Sequence, residues 1–273
     1  MPELPEVETV VRGLRAAVVG DTIASVWVGP RQQPLKSPPA EIVSTLEGAK
    51  IAAVRRMGKH IVVDLASGGH WIVHLGMTGQ LIVARPDAEI SKHTHLIARL
   101  DSGREVRFID PRMFGKLAVT HEFDPGGIEP LDLAFEEFVP LFRKRQTPIK
   151  SALLNQQLLR GVGNIYADEA LFRAQVHPLR PAGTVKRPQL DALRGAIVDV
   201  LQAGIGAGGA TIDDFRHADG VEGAFQNEFL VHRRRGEPCP RCGTPIVKFV
   251  AAGRGTYACE TCQRPPRGVR RHK

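Results

Sequence analysis

Apolar residues recur at helical spacing from the start of the chain. Between Glu6 and Val19, Val7, Val10, Val11, Leu14 and Val18 share one face, with Pro5 at the entry and Gly20 just past the end. This pattern predicts an amphipathic helix. The period then shortens. Thr22–Val28, Ile61–Leu65, Trp71–Leu75, Leu81–Ala84, His95–Leu100, Val106–Ile109 and Lys116–Thr120 are short β-patterned runs, mostly about ten residues apart and separated by Gly, Asp and Pro. Such runs predict a β-sandwich. The Pro-rich stretch 31–40 is expected to be irregular, and no internal repeat is visible.

From Asp124 the pattern turns helical. Asp124-Pro-Gly-Gly-Ile-Glu-Pro130 reads as a linker. Thr147 is expected to cap a helix running toward Leu159, with Pro148 in its first position. Gly161-Val-Gly163 breaks it, and Asn164 is expected to cap a second helix, Ile165–Ala174. A third spans Pro188–Ala203 with Gly204 after it. The glycine-rich run Gly204–Gly209 lacks the Gly-Lys-Ser/Thr ending of a phosphate-binding P-loop, so it reads as a helix stop that lets backbone approach closely. The predicted class is α+β and multidomain, in four stretches: a β-sandwich with a flanking helix (1–124), a linker (125–135), a helical domain (136–230) and a C-terminal hairpin with a basic tail (231–273).

Composition adds little until it is resolved along the chain. At 42% hydrophobic and 24% charged residues the protein has enough apolar material for a core. No apolar run approaches the ~18 residues of a membrane span, and the acidic, proline-containing start is unlike a secretory signal. A cytoplasmic protein with no membrane partner is expected. The net charge is +8, yet Val231–Lys273 alone holds eleven Lys/Arg against two Glu, or +9. The excess therefore sits in the last 43 residues, a density that points to a polyanionic partner.

All four cysteines lie in the same stretch. Cys239 and Cys242 form one C-x2-C pair, and after sixteen intervening residues Cys259 and Cys262 form another. That is the spacing of a four-thiolate zinc site, structural because it leaves no open coordination position. Ile246–Val250 fits one arm of an intervening hairpin, with Gly253-Arg-Gly255 at its turn.

The remaining candidate chemistry is at the N-terminus. Proline after the initiator Met favours removal of Met1, which leaves Pro2 with a free secondary amine able to attack a sugar C1′ or an aldehyde. Glu3 and Glu6 are close enough in sequence to serve as acid/base groups or to hold the amine.

These features occur together with PELPEVET at Pro2–Thr9, HLGMTG at His74–Gly79, DPRMFG at Asp110–Gly115 and GVGNIYADEALF at Gly161–Phe172. In that order, along essentially the whole chain and with the four-cysteine hairpin, they closely resemble the formamidopyrimidine-DNA glycosylases, the 8-oxoguanine DNA glycosylase family. The resemblance implies a helix–two-turns–helix DNA-binding domain, a structural zinc and a double-stranded DNA partner carrying oxidised bases or abasic sites. It implies a base-excision repair enzyme, monomeric and without an obligate protein partner. Its activity would be that of a bifunctional glycosylase/AP lyase on oxidised purines.

By the same resemblance, Pro2 is the nucleophile, Glu3 the proton donor and Lys59 the lysine near the lesion-strand phosphate. Met77, Arg112 and Phe114 fill the space left by an everted base. Asn164 and Arg254 contact backbone phosphate, with Lys150 adding charge nearby. Asp219–Phe225 matches the loop that recognises the lesion. The chain departs from the family pattern at Ala224, where an aromatic residue is common, at Arg216-His217, at Met113, and in a basic extension after Cys262. An endonuclease VIII-like enzyme acting on oxidised pyrimidines usually has Gly where Leu4 stands. A non-catalytic DNA-binding module would have no use for Pro2, Glu3 and Lys59.

Overall fold

The computed structural model describes residues 1–211 and 222–268. Arg216-His217 and residues 219–221 of the stretch 219–225 assigned to lesion recognition lie outside them, as does the end of the basic tail. By their contacts the residues group into two units. One comprises Met1–Asp124 with Ile205–Gln226, the other Pro125–Gly204 with Asn227–Lys273.

In the first unit the amphipathic helix α1 covers Leu4–Val18. It starts two residues before the predicted position because Pro5 is accommodated in its first turn, where its missing N–H leaves no bond unmade. Eight strands follow: β1 (Ile23–Val28), β2 (Ile51–Met57), β3 (His60–Leu65), β4 (His70–His74), β5 (Gln80–Ala84), β6 (Thr94–Leu100), β7 (Glu105–Ile109) and β8 (Lys116–Thr120). They form two antiparallel four-stranded sheets, ordered β1-β6-β7-β5 and β2-β3-β4-β8. The core between them includes Ile61, Val63, Trp71 and Val73 from one sheet and Leu81, Leu96, Ala98 and Phe108 from the other, with α1 adding Val7, Val10, Val11 and Leu14.

Two elements here were not predicted. Strand β2 is irregular near its start, where its pairing with β3 shifts between Ile51 and Ala53, and two arginines follow Val54, so its alternation is weak. Helix α2 (Pro39–Leu46) begins inside the stretch expected to be irregular. Its Pro39 is a helix-starting residue rather than a breaker, and only Ile42 and Leu46 are buried.

The second unit holds α3 (Phe135–Phe138), α4 (Ile149–Leu154), α5 (Asn164–Arg173) and most of α6 (Arg187–Gly206), then the hairpin β9 (Val247–Ala251) and β10 (Arg254–Ala258). Several expected boundaries move. Pro148, not Thr147, is the N-cap of α4, which ends at Leu154 instead of reaching Leu159. Asn164 is the first residue of α5, and the cap is Gly163. Helix α6 runs past its predicted stop because Gly204 belongs inside it: a Cβ there would lie 2.6 Å from the Tyr166 ring. In the hairpin the two turn residues are Ala252 and Gly253, both at positive φ, so Arg254 opens β10 opposite Ala251.

Among the described residues, no helix is long and apolar enough to cross a membrane.

Candidate functional site

In the first unit the N-terminus is held by its own helix. Glu3 is the N-cap of α1, and Glu6 sends a carboxylate oxygen back to the Glu3 N–H at 2.8 Å. The other Glu6 oxygen accepts the Ala210 N–H, also at 2.8 Å. Both side chains are buried, as is Pro2. Glu6 is thus committed to holding backbone at both oxygens, and the Glu3 side chain closes the same capping box beside Pro2. Gly209 approaches Glu6 so closely that a Cβ would sit 3.0 Å from its Cγ and Oε1.

Two further turns of this unit are built against each other. Gly76 (φ +63°) packs onto the backbone of Phe114, where a Cβ would fall within 2.5 Å. Asp110, fully buried, binds both turns. Its carboxylate accepts the Thr78 hydroxyl at 2.6 Å, the Gly115 N–H at 2.7 Å and the Arg112 N–H at 3.2 Å. Met77 and Phe114 project from this frame as two of the few exposed large apolar side chains, 45% and 54% exposed. The Arg112 guanidinium lies 4.9 Å above the Phe114 ring, a cation–π contact that presents the pair together. Sequence pattern alone would place an isolated Met or Phe in the core. Here they stand outside it, mounted on a buried carboxylate.

Lys59, in the turn between β2 and β3, is buried rather than a solvated strand-end lysine. It is one of the cations that act on His74. Burial, then the neighbouring His60, Lys116 and Lys59, push the His74 imidazole down to about 4. The His74 Nδ1 accepts the Gly76 N–H at 3.1 Å, as a neutral ring can. His74 and His60, whose ring centroids are 4.9 Å apart, were not singled out by the sequence reading, although His74 opens one of its motifs.

In the second unit Asn164 and Arg254 come together at the hairpin turn. The Asn164 side-chain amide donates to the Gly255 carbonyl at 3.0 Å, and Arg254 is exposed next to it. Lys150 departs from the expectation. It is fully buried and ion-paired with Asp168 at 2.7 Å, and it donates to the Thr256 hydroxyl at 2.7 Å. A direct contact to an external phosphate is not open to it, because its charge is spent inside the fold. The sequence signal for this was the spacing of Asp168 among the apolar positions of α5, which places a carboxylate on a buried helix face.

The four cysteine sulfurs lie within 4.8 Å of one another, with Cys239–Cys262 at 3.9 Å and Cys242–Cys259 at 3.4 Å. Four sulfurs at ~2.3 Å from a zinc ion are separated by about 3.8 Å, so the set fits. Burial pushes the Cys262 thiol up to about 12, whereas hydrogen bonds from Thr244 draw Cys242 down to about 6. Without a cation this cluster resists full ionisation, and a divalent metal resolves that conflict. The site is a structural zinc centre, complete in its own four ligands.

Three family models match consecutive parts of the chain: the formamidopyrimidine-DNA glycosylase N-terminal domain over residues 1–117, the formamidopyrimidine-DNA glycosylase H2TH domain over 127–216, and the zinc finger found in FPG and IleRS over 236–265. The formamidopyrimidine-DNA glycosylase of Gluconobacter oxydans is 44% identical over 97% of this chain and the whole of that protein. The chain belongs to the formamidopyrimidine-DNA glycosylase family. It is accordingly a DNA glycosylase of DNA repair, and its α+β multidomain fold is the family's. The Thermus thermophilus family member superimposes with a TM-score of 0.86 at 40% identity, covering 96% of this chain and 98% of that one. A mutant of the Lactococcus lactis enzyme, solved with DNA containing Fapy-dG, gives 0.90 at 32% identity over 97% of this chain and 100% of its own.

Proposed function

We propose that this protein is a bifunctional glycosylase/AP lyase that excises oxidised purines from double-stranded DNA through a covalent intermediate on Pro2. The observation that carries the reading is the N-terminus: Pro2 and Glu3 are buried together at the start of a helix, where the two Glu6 oxygens accept the backbone N–H groups of Glu3 and Ala210. An α-amino group titrates near pH 8 and is partly unprotonated at neutrality, so with Met1 removed Pro2 can act as a nucleophile.

The Pro2 nitrogen attacks C1′ of the everted nucleoside. The N–C1′ bond forms and the glycosidic bond breaks; the base leaves with the bonding pair and takes up the proton that the Pro2 amine gives up. Glu3 donates a proton to O4′ as the C1′–O4′ bond opens, which leaves an iminium between Pro2 and C1′. Loss of a C2′ proton then expels the 3′ phosphate, and loss of a C4′ proton the 5′ phosphate. Lys59 supplies positive charge beside the lesion-strand phosphate. Phe114 and Met77 occupy the space vacated in the stack, and Arg112 donates to the orphaned base. Asn164 and Arg254 grip backbone phosphates, and Cys239, Cys242, Cys259 and Cys262 hold the zinc that fixes the hairpin carrying Arg254.

DNA as the partner is supported by relatives solved with DNA containing Fapy-dG or an abasic site. A wild-type Lactococcus lactis relative, 34% identical, was also solved with oxidised-pyrimidine DNA, so pyrimidine lesions form a second substrate arm. The test is borohydride trapping on duplexes carrying 8-oxoguanine, an oxidised pyrimidine or an abasic site. The wild type is expected to form a covalent adduct, fastest on 8-oxoguanine and abasic DNA, and Pro2→Gly none. An undiminished adduct in Pro2→Gly would remove Pro2 from the mechanism.

A further inference from the structure

Lys150 and Asp168 form an ion pair sealed from solvent in the second unit, with both side chains 0% exposed. Burying such a pair costs more desolvation than packing apolar side chains of similar volume, so it is a poor device for stability alone. Its connections run in a definite direction. Lys150 donates to the buried Thr256 hydroxyl at 2.7 Å, and that hydroxyl donates to the Arg254 carbonyl at 3.0 Å. The Gly255 carbonyl also accepts from Asn164 at 3.0 Å and lies 3.4 Å from the Lys150 ammonium.

On the far side of the pair, the second Asp168 oxygen faces His232 Nδ1 at 3.0 Å and the Tyr257 N–H at 3.4 Å. The His232 ring is wedged edge-on between Phe229 and Tyr257. Its backbone N–H, with those of Leu230 and Val231, is held by the Glu169 carboxylate. Asp168 therefore joins α4, α5, the segment before the zinc knuckle and β10, and the chain of bonds through Lys150 ends on the peptide of Arg254.

We propose that Asp168 is a positioning residue for DNA binding: through Lys150 and Thr256 it fixes the Arg254 peptide, and so aims that arginine at a backbone phosphate. This rests on the reading of Arg254 as a phosphate contact given above. The relay supplies no charge to the DNA; it holds in one orientation a side chain that does. Its loss weakens capture of the duplex and leaves the chemistry of the bound complex alone.

The test uses the full zinc-loaded protein and steady-state cleavage of an abasic-site duplex. Thr256→Val removes the one hydroxyl that links the pair to Arg254 while preserving shape, and Thr256→Ser retains it. The double variant Lys150→Met/Asp168→Leu replaces both charges at once and so leaves no unpaired buried ion. Thr256→Val and the double variant are expected to raise KM about tenfold, the value of one charge-assisted hydrogen bond, with kcat at saturating duplex unchanged. Thr256→Ser is expected to stay near wild type. Mere loss of folded protein would lower apparent kcat and spare KM. Wild-type KM in Thr256→Val, when Arg254→Ala raises it, overturns the relay and leaves the phosphate reading intact. Wild-type KM in Arg254→Ala overturns both.

Discussion

His74 shows how burial among cations alters the behaviour of a single residue. Its imidazole is held at about 4 by burial and by His60, Lys116 and Lys59, against 6.5 in the unfolded chain. Below pH 6.5 the unfolded chain therefore takes up a proton that the folded protein refuses. Stability present above pH 6.5 is lost as pH falls toward 4, and is flat below. At about 1.4 kcal/mol per pH unit the loss is at most roughly 3 kcal/mol. Urea unfolding at about pH 7.5, 5.5 and 4.5 should show a shallower pH dependence in His74→Asn than in the wild type. Identical slopes in the two proteins would dismiss this account. Asp110 is the complementary residue, a carboxylate that stays buried because Thr78, Arg112 and Gly115 all donate to it. It makes one frame from the turns that carry Met77 and those that carry Arg112 and Phe114.

At the scale of elements, the β9–β10 hairpin has a two-residue turn in which both central residues, Ala252 and Gly253, have positive φ. That is the requirement of a type I′ turn, whose preferred first residue is Asn. Ala252 carries a Cβ in the left-handed region without a polar side chain to offset it. Ala252→Asn is expected to raise stability by roughly 0.5–1 kcal/mol, with slower amide exchange in β9 and β10 when zinc is bound. A neutral or destabilising result in chemical unfolding would show that the turn is not limiting. Of the elements with clear periodicity, β8 is where the pattern predicts it and α1 lies within two residues of its predicted bounds. Helix α2 and strand β2 were hidden because each buries little: α2 contributes two side chains, and β2 opens with a register shift.

For the molecule as a whole, charge and zinc are found in one place. The segment Val231–Lys273 carries +9 of a net +8, so the remainder is close to neutral. Long-range attraction to a polyanion thus belongs to the stretch of sequence that contains the zinc site. Removing zinc with a chelator is expected to lower duplex affinity at least about tenfold, by releasing a hairpin that has little core of its own. Adding zinc back should restore it. Metal analysis alongside a binding titration checks this, and zinc-free protein with wild-type affinity would refute it.

What was legible in the sequence is local or a matter of spacing. The helical period of α1, the alternation of most sandwich strands and the two C-x2-C pairs each lie within a short stretch, where neighbouring residues constrain one another directly. The motifs at Pro2–Thr9, His74–Gly79, Asp110–Gly115 and Gly161–Phe172 carried the family in the same way. Only the tertiary structure decided which of the polar residues face outward. Lys150 reads as a free cation until Asp168 and Thr256, the latter 106 residues away, are brought against it. Glu6 reads as a possible acid until Ala210, 204 residues away, takes its second oxygen. These partners are chosen by packing between distant segments: the spacing of Asp168 marks a carboxylate on a buried helix face, but not which cation meets it, and the capping motif accounts for only one of the two Glu6 oxygens.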